Sequence, residues 1–409
     1  VINPLCAPGR VQDWIRPGSA PGRAATASPQ LPPDAWKGVS RAGNIEAAID
    51  KATGTKAVPG NAVDLLLEGQ YFDALWPALS SAKQSILVSS LKIDDGPYGS
   101  KTADILAEKA RSGVQVRVLL DAFNSKGGVG KDAIAKMRQA GVHVHILDNK
   151  VGRTVMEIQH RKLTLIDGEV GFVGGQNLDW AGHNAHDATL RVQGPVLQNL
   201  HQLYLEQWDL ADAPKVVNPP VPRPKPVGNT VLRPLITDPC NRAFKQAMLT
   251  AIDHAQQHIY LDQVFFSDTE IINALGRAAK RGVNVQLVIP QKSYSEQINA
   301  VNRVDLAKML KMGITVRLNP QETHMKSVTI DGSWGVLGST NLDDRALNDN
   351  YELSLAVSNP ETVQQLDSRI MLPTIRNSPV AKPNSLAVPN QNFWGAVKDR
   401  VWSTFRRFI

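Results

Sequence analysis

The segment "HRKLTLIDG" at 160–168 returns as "HMKSVTIDG" at 324–332, and this repetition limits the chain to folds that can be built twice. Both copies read HxKxxxxDG, with alternating apolar and β-branched residues running into the Asp-Gly pair. Each copy continues in the same manner, into "EVGFVGGQNLD" after the first and "SWGVLGSTNLDD" after the second. Flanking landmarks repeat as well. Ile86 and Ile259 lie 173 residues apart, Gly141 and Gly313 lie 172 apart, and His160 and His324 lie 164 apart. Similar offsets across several elements indicate an internal duplication with small insertions.

Within each half, helix-like stretches alternate with apolar strands. "SKTADILAEKARSG" precedes "VQVRVLLDAF", and "TEIINALGRAAKRG" precedes "VNVQLVIP". "DAIAKMRQAGVHVHIL" and "NRVDLAKMLKMGITVRL" each add a helix ending in Gly, the residue suited to a left-handed C-cap, and then a strand. The pattern predicts α/β layers. Pro-rich stretches at 16–33, 213–229 and 373–390 predict extended arms or linkers, because Pro fixes φ and lacks a backbone donor. The expected organisation is a partly irregular N-terminal arm at 1–60, a first repeat at 61–212 and a Pro-rich linker at 213–229. A second repeat at 230–372 follows, then a Pro-rich segment and an amphipathic helix at 373–409. In that last helix Trp394, Val397, Val401, Phe405 and Phe408 form an apolar stripe beside Lys398, Arg400, Arg406 and Arg407. Such a helix suits a lipid interface or a berth on the protein body.

With 45 basic and 38 acidic residues the formal charge is +7, which fits an anionic partner surface, phospholipid or nucleic acid, without choosing between them. No apolar run approaches the ~18 residues that cross a bilayer. Cys6 and Cys240 allow one disulfide or two separate thiols, and no Cys/His cluster suggests zinc. A chain beginning at Val1 fits a removed leader or a trimmed terminus, and the expected location is secreted or periplasmic.

The motif itself indicates chemistry. Residues i and i+2 of a strand share a face, so His160 and Lys162 point together, as do His324 and Lys326. The following Gly174-Gly175 and Gly338-Ser339 pairs let backbone approach a ligand closely, and Asn177 and Asn341 add amide donors. Two imidazoles, two ammoniums and two amides make a pocket for one phosphoryl group, whose oxygen charge Lys and Asn offset. One His can attack phosphorus while the other protonates the departing oxygen. A single repeat supplies half of this. His183, His186 and Asp187 lack a third metal partner and read as a loop after the motif. "KGGVGKD" at 126–132 misses the spacing of a phosphate loop.

These residues resemble the phospholipase D superfamily, whose signature is HxKxxxxD followed by Gly or Ser and Asn. The resemblance runs from about Asp64 to about Val357, and "GSTNLDDRALNDNYELSLAV" and "YLDQVFFSD" are similar to segments of bacterial cardiolipin synthases and related phospholipases. It implies a pseudo-symmetric α/β fold, with two mixed β-sheets flanked by helices and the active site between the repeats. It also implies a covalent phosphohistidine resolved by water or an alcohol, with no metal and no cofactor. Carried over, His160 is the expected nucleophile and His324 the general acid and then base. Lys162, Lys326, Asn177 and Asn341, with Gly175 and Ser339, are expected around the phosphate. Asp167 and Asp331 would orient imidazoles or stabilise the motif, and Asp187 and Glu352 are the supporting carboxylates, without an assignment to either ring.

The resulting expectation is a monomeric, exported phospholipase D at a membrane or micelle surface. It would release phosphatidic acid from glycerophospholipids and transfer the phosphatidyl group to alcohols. The lack of N-terminal membrane helices leads away from a cardiolipin synthase-type transferase. Two motifs in one chain, without an aromatic-interleaved basic stripe, lead away from a nucleic-acid phosphodiesterase. A non-catalytic binding protein on a decayed scaffold is the remaining alternative.

Overall fold

The computed structural model describes residues 40–125, 127–147, 157–211, 213, 215–293, 295–386 and 398–400, with only the backbone of 40–44. Cys6, the stretch 16–33 and the five apolar stripe residues of the C-terminal helix lie outside these. Cys240 is disulfide-bonded.

The first half contributes β1 (Val58–Leu67), β2 (Ser85–Ser90), β3 (Gln115–Asp121), β4 (His143–Leu147), β5 (Leu163–Ile166), β6 (Val170–Gly174) and β7 (Ala188–Gln193). The second contributes β8 (Thr230–Thr237), β9 (His258–Gln263), β10 (Asn284–Pro290), β11 (Thr315–Asn319), β12 (Lys326–Ile330), β13 (Trp334–Gly338) and β14 (Glu352–Val357). Hydrogen bonding joins them in the order β11-β10-β9-β12-β13-β14-β8-β1-β7-β6-β5-β2-β3-β4. Shifting the second-half labels down by seven makes this order a palindrome, so the duplication in sequence is a pseudo-twofold in space. In each half, three strands pair in parallel (β2-β3-β4 and β9-β10-β11) and the others are antiparallel. The two expected mixed sheets are thus present, but joined at one edge, where β1 pairs with β8 through Val58–Leu232 and Asn61–Thr230.

The joined sheet folds back on itself, so that β13 packs on β7 and both β13 and β14 pack on β6. Between the layers lies a core drawn from both halves, including Leu163, Leu190, Tyr204 and Trp208 with Leu232, Met325, Leu337 and Leu353. Two further cores lie beneath the outer helices of each half. Part of the N-terminal arm is ordered: helix Ser40–Thr53 inserts Ile45 and Ile49 into the second-half core. Its buried Glu46 carboxylate pairs with Arg233 and accepts from the Trp334 indole and the Ser358 hydroxyl. The described residues of the Pro-rich linker form no helix or strand, and run where buried Arg117 donates to the Val217 carbonyl (2.6 Å) and the Asn218 side chain (2.8 Å). Near the C-terminus, Asp399 receives two bonds from Arg303, at 2.7 and 2.8 Å.

Both Asp-Gly pairs form tight hairpin turns. Asp167 and Gly168 have φ of 52° and 68°, and Asp331 and Gly332 have φ of 52° and 61°, the double left-handed geometry for which this dipeptide is suited. The two carboxylates are clamps. Asp167 accepts the backbone N–H groups of Lys83, Gln84 and Ser85 at 2.7, 2.7 and 2.8 Å. Asp331 accepts those of Gln256, Gln257 and His258 at 2.9, 2.8 and 2.9 Å. Each clamp pins the start of β2 or β9 to the hairpin after the motif. Asp331→Ala leaves three donors without this acceptor and is expected to lower stability by about 2 kcal/mol. Denaturant titration of wild type and variant measures it, and an unchanged midpoint refutes the clamp.

Candidate active site

The approach to each motif is held by the other half. Gln159 bridges Tyr351, and the His160 N–H donates to the Tyr351 carbonyl at 2.9 Å. Thr323 likewise bridges His186, and the His324 N–H donates to the His186 carbonyl at 2.9 Å. Tyr351 and His186 immediately precede Glu352 and Asp187, so each motif is registered against a carboxylate of the opposite repeat.

The side chains complete the crossing. His160 Nδ1 lies 2.9 Å from Glu352 Oε2, and His324 Nδ1 lies 2.7 Å from Asp187 Oδ2. A carboxylate at Nδ1 requires a proton there, which leaves Nε2 of a neutral ring with a free lone pair. Lys162 and Lys326 each fold back to donate to the carbonyl of the His two residues earlier. Both histidines precede the regular strand: β5 begins at Leu163 and β12 at Lys326. In the second motif the two side chains do meet, with Lys326 Nζ 3.1 Å from His324 Nδ1.

Burial and mutual repulsion set the charges. His160 is held well below the ordinary imidazole value by desolvation, and by Lys162, Lys326 and His324 in decreasing measure. His324 is lowered by desolvation and by Lys326, whose Nζ lies 3.1 Å from its Nδ1, while Asp187 opposes the shift. Desolvation takes Lys162 well below its usual range and Lys326 down to about 8. Burial raises Glu352 to about 7 despite Lys162, Ser339 and Asn350. The resting site thus favours neutral imidazoles, His160 the more strongly. A bound anion would supply charge that relieves the lysines and draws a proton onto a ring.

The surrounding residues have definite tasks. Asn177 and Asn341 are buried, and the Oδ1 atom of each lacks a partner among the described residues. Ser339, expected at the phosphate, instead donates its hydroxyl to Glu352 Oε2 at 2.6 Å and accepts the Leu353 N–H at 3.0 Å. Gly175, expected to let backbone approach a ligand, makes room for Asp187: a Cβ there would sit 2.3 Å from Asp187 Oδ1. Asp167 and Asp331 stand at the far ends of β5 and β12, clamping backbone, and do not orient imidazoles. The uncertainty over Asp187 and Glu352 resolves into crossed pairs.

Sequence reasoning passed over three contributors. His186 has Nδ1 3.3 Å from Glu68 and Nε2 3.4 Å from Asp262. Hydrogen bonds and charge from these carboxylates outweigh its desolvation and lift it to about 9, so the ring beside Asp187 is cationic at neutral pH. Arg161 donates to the Glu352 carbonyl at 3.2 Å. Asp121 accepts the Gln159 N–H at 2.9 Å and steadies the residue before His160. Their partners are remote in sequence, and no local pattern marks them. Among the described residues, no group of three or more His, Cys, Asp or Glu side chains is arranged to hold a metal ion.

The family model described as "Cardiolipin synthase, PLD-like domain" matches residues 75–208 and 248–371, once in each half. This chain belongs to the phospholipase D superfamily. Among curated superfamily relatives, cardiolipin synthase A of Pseudomonas putida (strain GB-1) is 28% identical over 338 residues, covering 78% of this chain and 70% of that protein. Cardiolipin synthase A of Pseudomonas aeruginosa (strain LESB58) is 29% identical over 324 residues, covering 75% of this chain and 65% of that protein. The phosphatidylserine synthase structure from Haemophilus influenzae Rd KW20 superimposes with a TM-score of 0.68 at 12% identity, covering 91% of this chain and 100% of that one. That likeness shows the phospholipase D fold.

The crossed pair at His324 can be tested by titration. Because Asp187 raises this ring while burial and Lys326 lower it, Asp187→Asn is expected to move its midpoint further below 6.5. Histidine-resolved NMR follows the shift, and an unmoved or raised midpoint overturns the pairing.

Proposed function

We propose that this chain is a phosphatidyltransferase of the cardiolipin synthase type, moving a phosphatidyl group from one alcohol to another through His160. The observation that carries this reading is the crossed, buried site: two imidazoles, each with a carboxylate behind Nδ1, beside two lysines.

The asymmetry of the rings supports their division of labour. His160, the more strongly held neutral, offers the Nε2 lone pair for attack on phosphorus, and Glu352 stabilises the cation that forms. The phosphorus–oxygen bond to the departing alcohol breaks as His324 delivers its proton to that oxygen. An incoming hydroxyl then gives its proton to His324 and attacks phosphorus, and the phosphorus–nitrogen bond breaks to regenerate neutral His160. Lys162, Lys326, Asn177 and Asn341 offset charge on the non-bridging oxygens.

The preference for hydrolysis, argued above from missing apolar helices, gives way to transfer. The curated relatives matched are cardiolipin synthases, and the chain spans 65–70% of the length of those described above. No helix among the described residues is long and apolar enough to cross a membrane, which does not decide between the two reactions. The site restricts water: the His160 side chain is 10% exposed and that of His324 is 19% exposed. Such a pocket favours an acceptor that binds over bulk solvent.

The test incubates the protein with phosphatidylglycerol vesicles in EDTA and follows cardiolipin and released glycerol. Transfer is expected in equal amounts of both, falling roughly a thousandfold or more in His160→Ala. Phosphatidic acid without cardiolipin restores the hydrolase reading, and no product at all rejects both. The pH dependence is a separate expectation. As pH rises through about 8, Lys326 loses the charge that binds phosphate, so KM should climb there. Lys326→Met should hold KM high at all pH, and a KM that stays flat through that range in wild type removes Lys326 from phosphate binding.

A further inference from the structure

Among the described residues, the exposed large hydrophobic side chains include only two aromatics, Phe123 at 65% exposure and Trp180 at 55%. Both are close in sequence to residues of the site. Trp180 follows Asn177 by three residues, and Phe123 follows by two the Asp121 whose carboxylate accepts the Gln159 N–H next to His160. The segments that carry them meet at Leu91–Asp95. Asp121 N–H donates to the Leu91 carbonyl, Asp94 N–H to the Leu178 carbonyl, and Trp180 N–H to the Asp94 carboxylate. Gly130 sits against the Ile93 carbonyl, so exposed Val129 joins the same rim.

Behind Trp180 the rim is stiff. Trp180 packs on Tyr98 with ring centroids 5.5 Å apart, and Tyr98 stacks on Trp76 at 5.5 Å and on His183 at 4.3 Å. Lys101 Nζ lies 3.8 Å from the Trp76 ring centre, and Lys92, 30% exposed, pairs with Asp179 beside Trp180. An aromatic ridge with ammonium groups set among it matches the layering of a phospholipid surface, where Trp and Phe lodge near the glycerol level and cations meet phosphate.

We propose that Phe123 and Trp180, with Val129, form a membrane-docking ridge that seats the mouth of the active site on a phospholipid bilayer. The choice of a bilayer as occupant rests on the reading of the site as acting on lipid phosphodiesters, whose lipids are drawn from a bilayer. Exposed acids, Asp95, Asp104 and Asp132, accompany the rim lysines. Apolar insertion therefore outweighs net charge, and binding should persist on zwitterionic vesicles and in raised salt.

The test measures sedimentation of the chain with phosphatidylcholine vesicles, for wild type and the double variant Phe123→Ser with Trp180→Gln, at low and high salt. A second measurement follows turnover of a short-chain, monomeric lipid by both proteins. The ridge predicts that the double variant loses vesicle partitioning by about tenfold or more while monomeric turnover is kept. Equal partitioning of variant and wild type overturns the ridge, as does binding that vanishes in salt. A change of oligomeric state in the variant also overturns it, by showing that the ridge covers a second copy. If vesicle binding depends on the two aromatics but no lipid is turned over, the ridge stands and the phosphatidyltransferase reading falls.

Discussion

Two hydrogen bonds between imidazole and carboxylate, His160 to Glu352 and His324 to Asp187, cross from one half of the molecule to the other. Much of the architecture serves to keep them aligned. Glu352 opens β14 and Asp187 immediately precedes β7, the two strands that flank the β8–β1 junction. Glu352 is in register with Thr237 of β8, and Ala188, next to Asp187, is in register with Leu67 of β1. The junction thus fixes the spacing of the carboxylates, and the fold-back of the sheet brings each opposite its ring. A lone repeat would have a histidine without its carboxylate and a buried carboxylate without its histidine. The second condition is costly in itself, because an unpaired buried charge is destabilising.

The same crossing explains how so much latent charge is tolerated under cover. Lys162 and Lys326 are both buried, and each lowers the neighbouring rings. Glu352 and Asp187 act in the opposite direction on the lysines. With its imidazoles neutral, the site remains short of negative charge, which a bound anion would provide. The cost of assembling buried cations before the ligand arrives is borne by the fold, so little reorganisation is needed once the ligand is in place.

What could be read from the sequence follows the range of the interactions. The duplication, the Gly-ended helices and the Asp-Gly turns are local patterns; Gly141 and Gly313 do adopt left-handed backbone, at φ of 90° and 85°. The pairing of the motif His, Lys and Asn residues was legible because both copies carry them at the same spacing. The donors to Asp167 were not legible, since they lie at the start of β2 and just before it, more than eighty residues away, and a motif position gives no hint of them. Nor could the sequence assign carboxylates to rings, because pseudo-symmetry makes the straight and crossed arrangements equally compatible with spacing. The joining of two sheets into one was hidden for a similar reason: the edges β1 and β8 look like any half-buried strands until paired.

The inequality of the two half-sites has a compact physical origin. In the first repeat Gly175 stands opposite Asp187, and the carboxylate occupies the space of the missing Cβ. In the second repeat Ser339 stands opposite Glu352, whose carboxylate has one more methylene of reach and receives the Ser339 hydroxyl. Glycine with the shorter acid and serine with the longer one both leave an oxygen at Nδ1 of the opposing ring. The chemical result differs. Glu352 is engaged by Ser339 as well as by His160, whereas Asp187 presents Oδ2 to His324 while Oδ1 accepts its neighbour's backbone N–H. The Ser339 hydroxyl favours the charged form of Glu352 against its burial, while His160 is lowered by its own burial and by Lys162 and Lys326. At His324, Asp187 opposes the lowering by burial and Lys326. Two differences within a duplicated frame thus leave the two imidazole–carboxylate pairs chemically unequal.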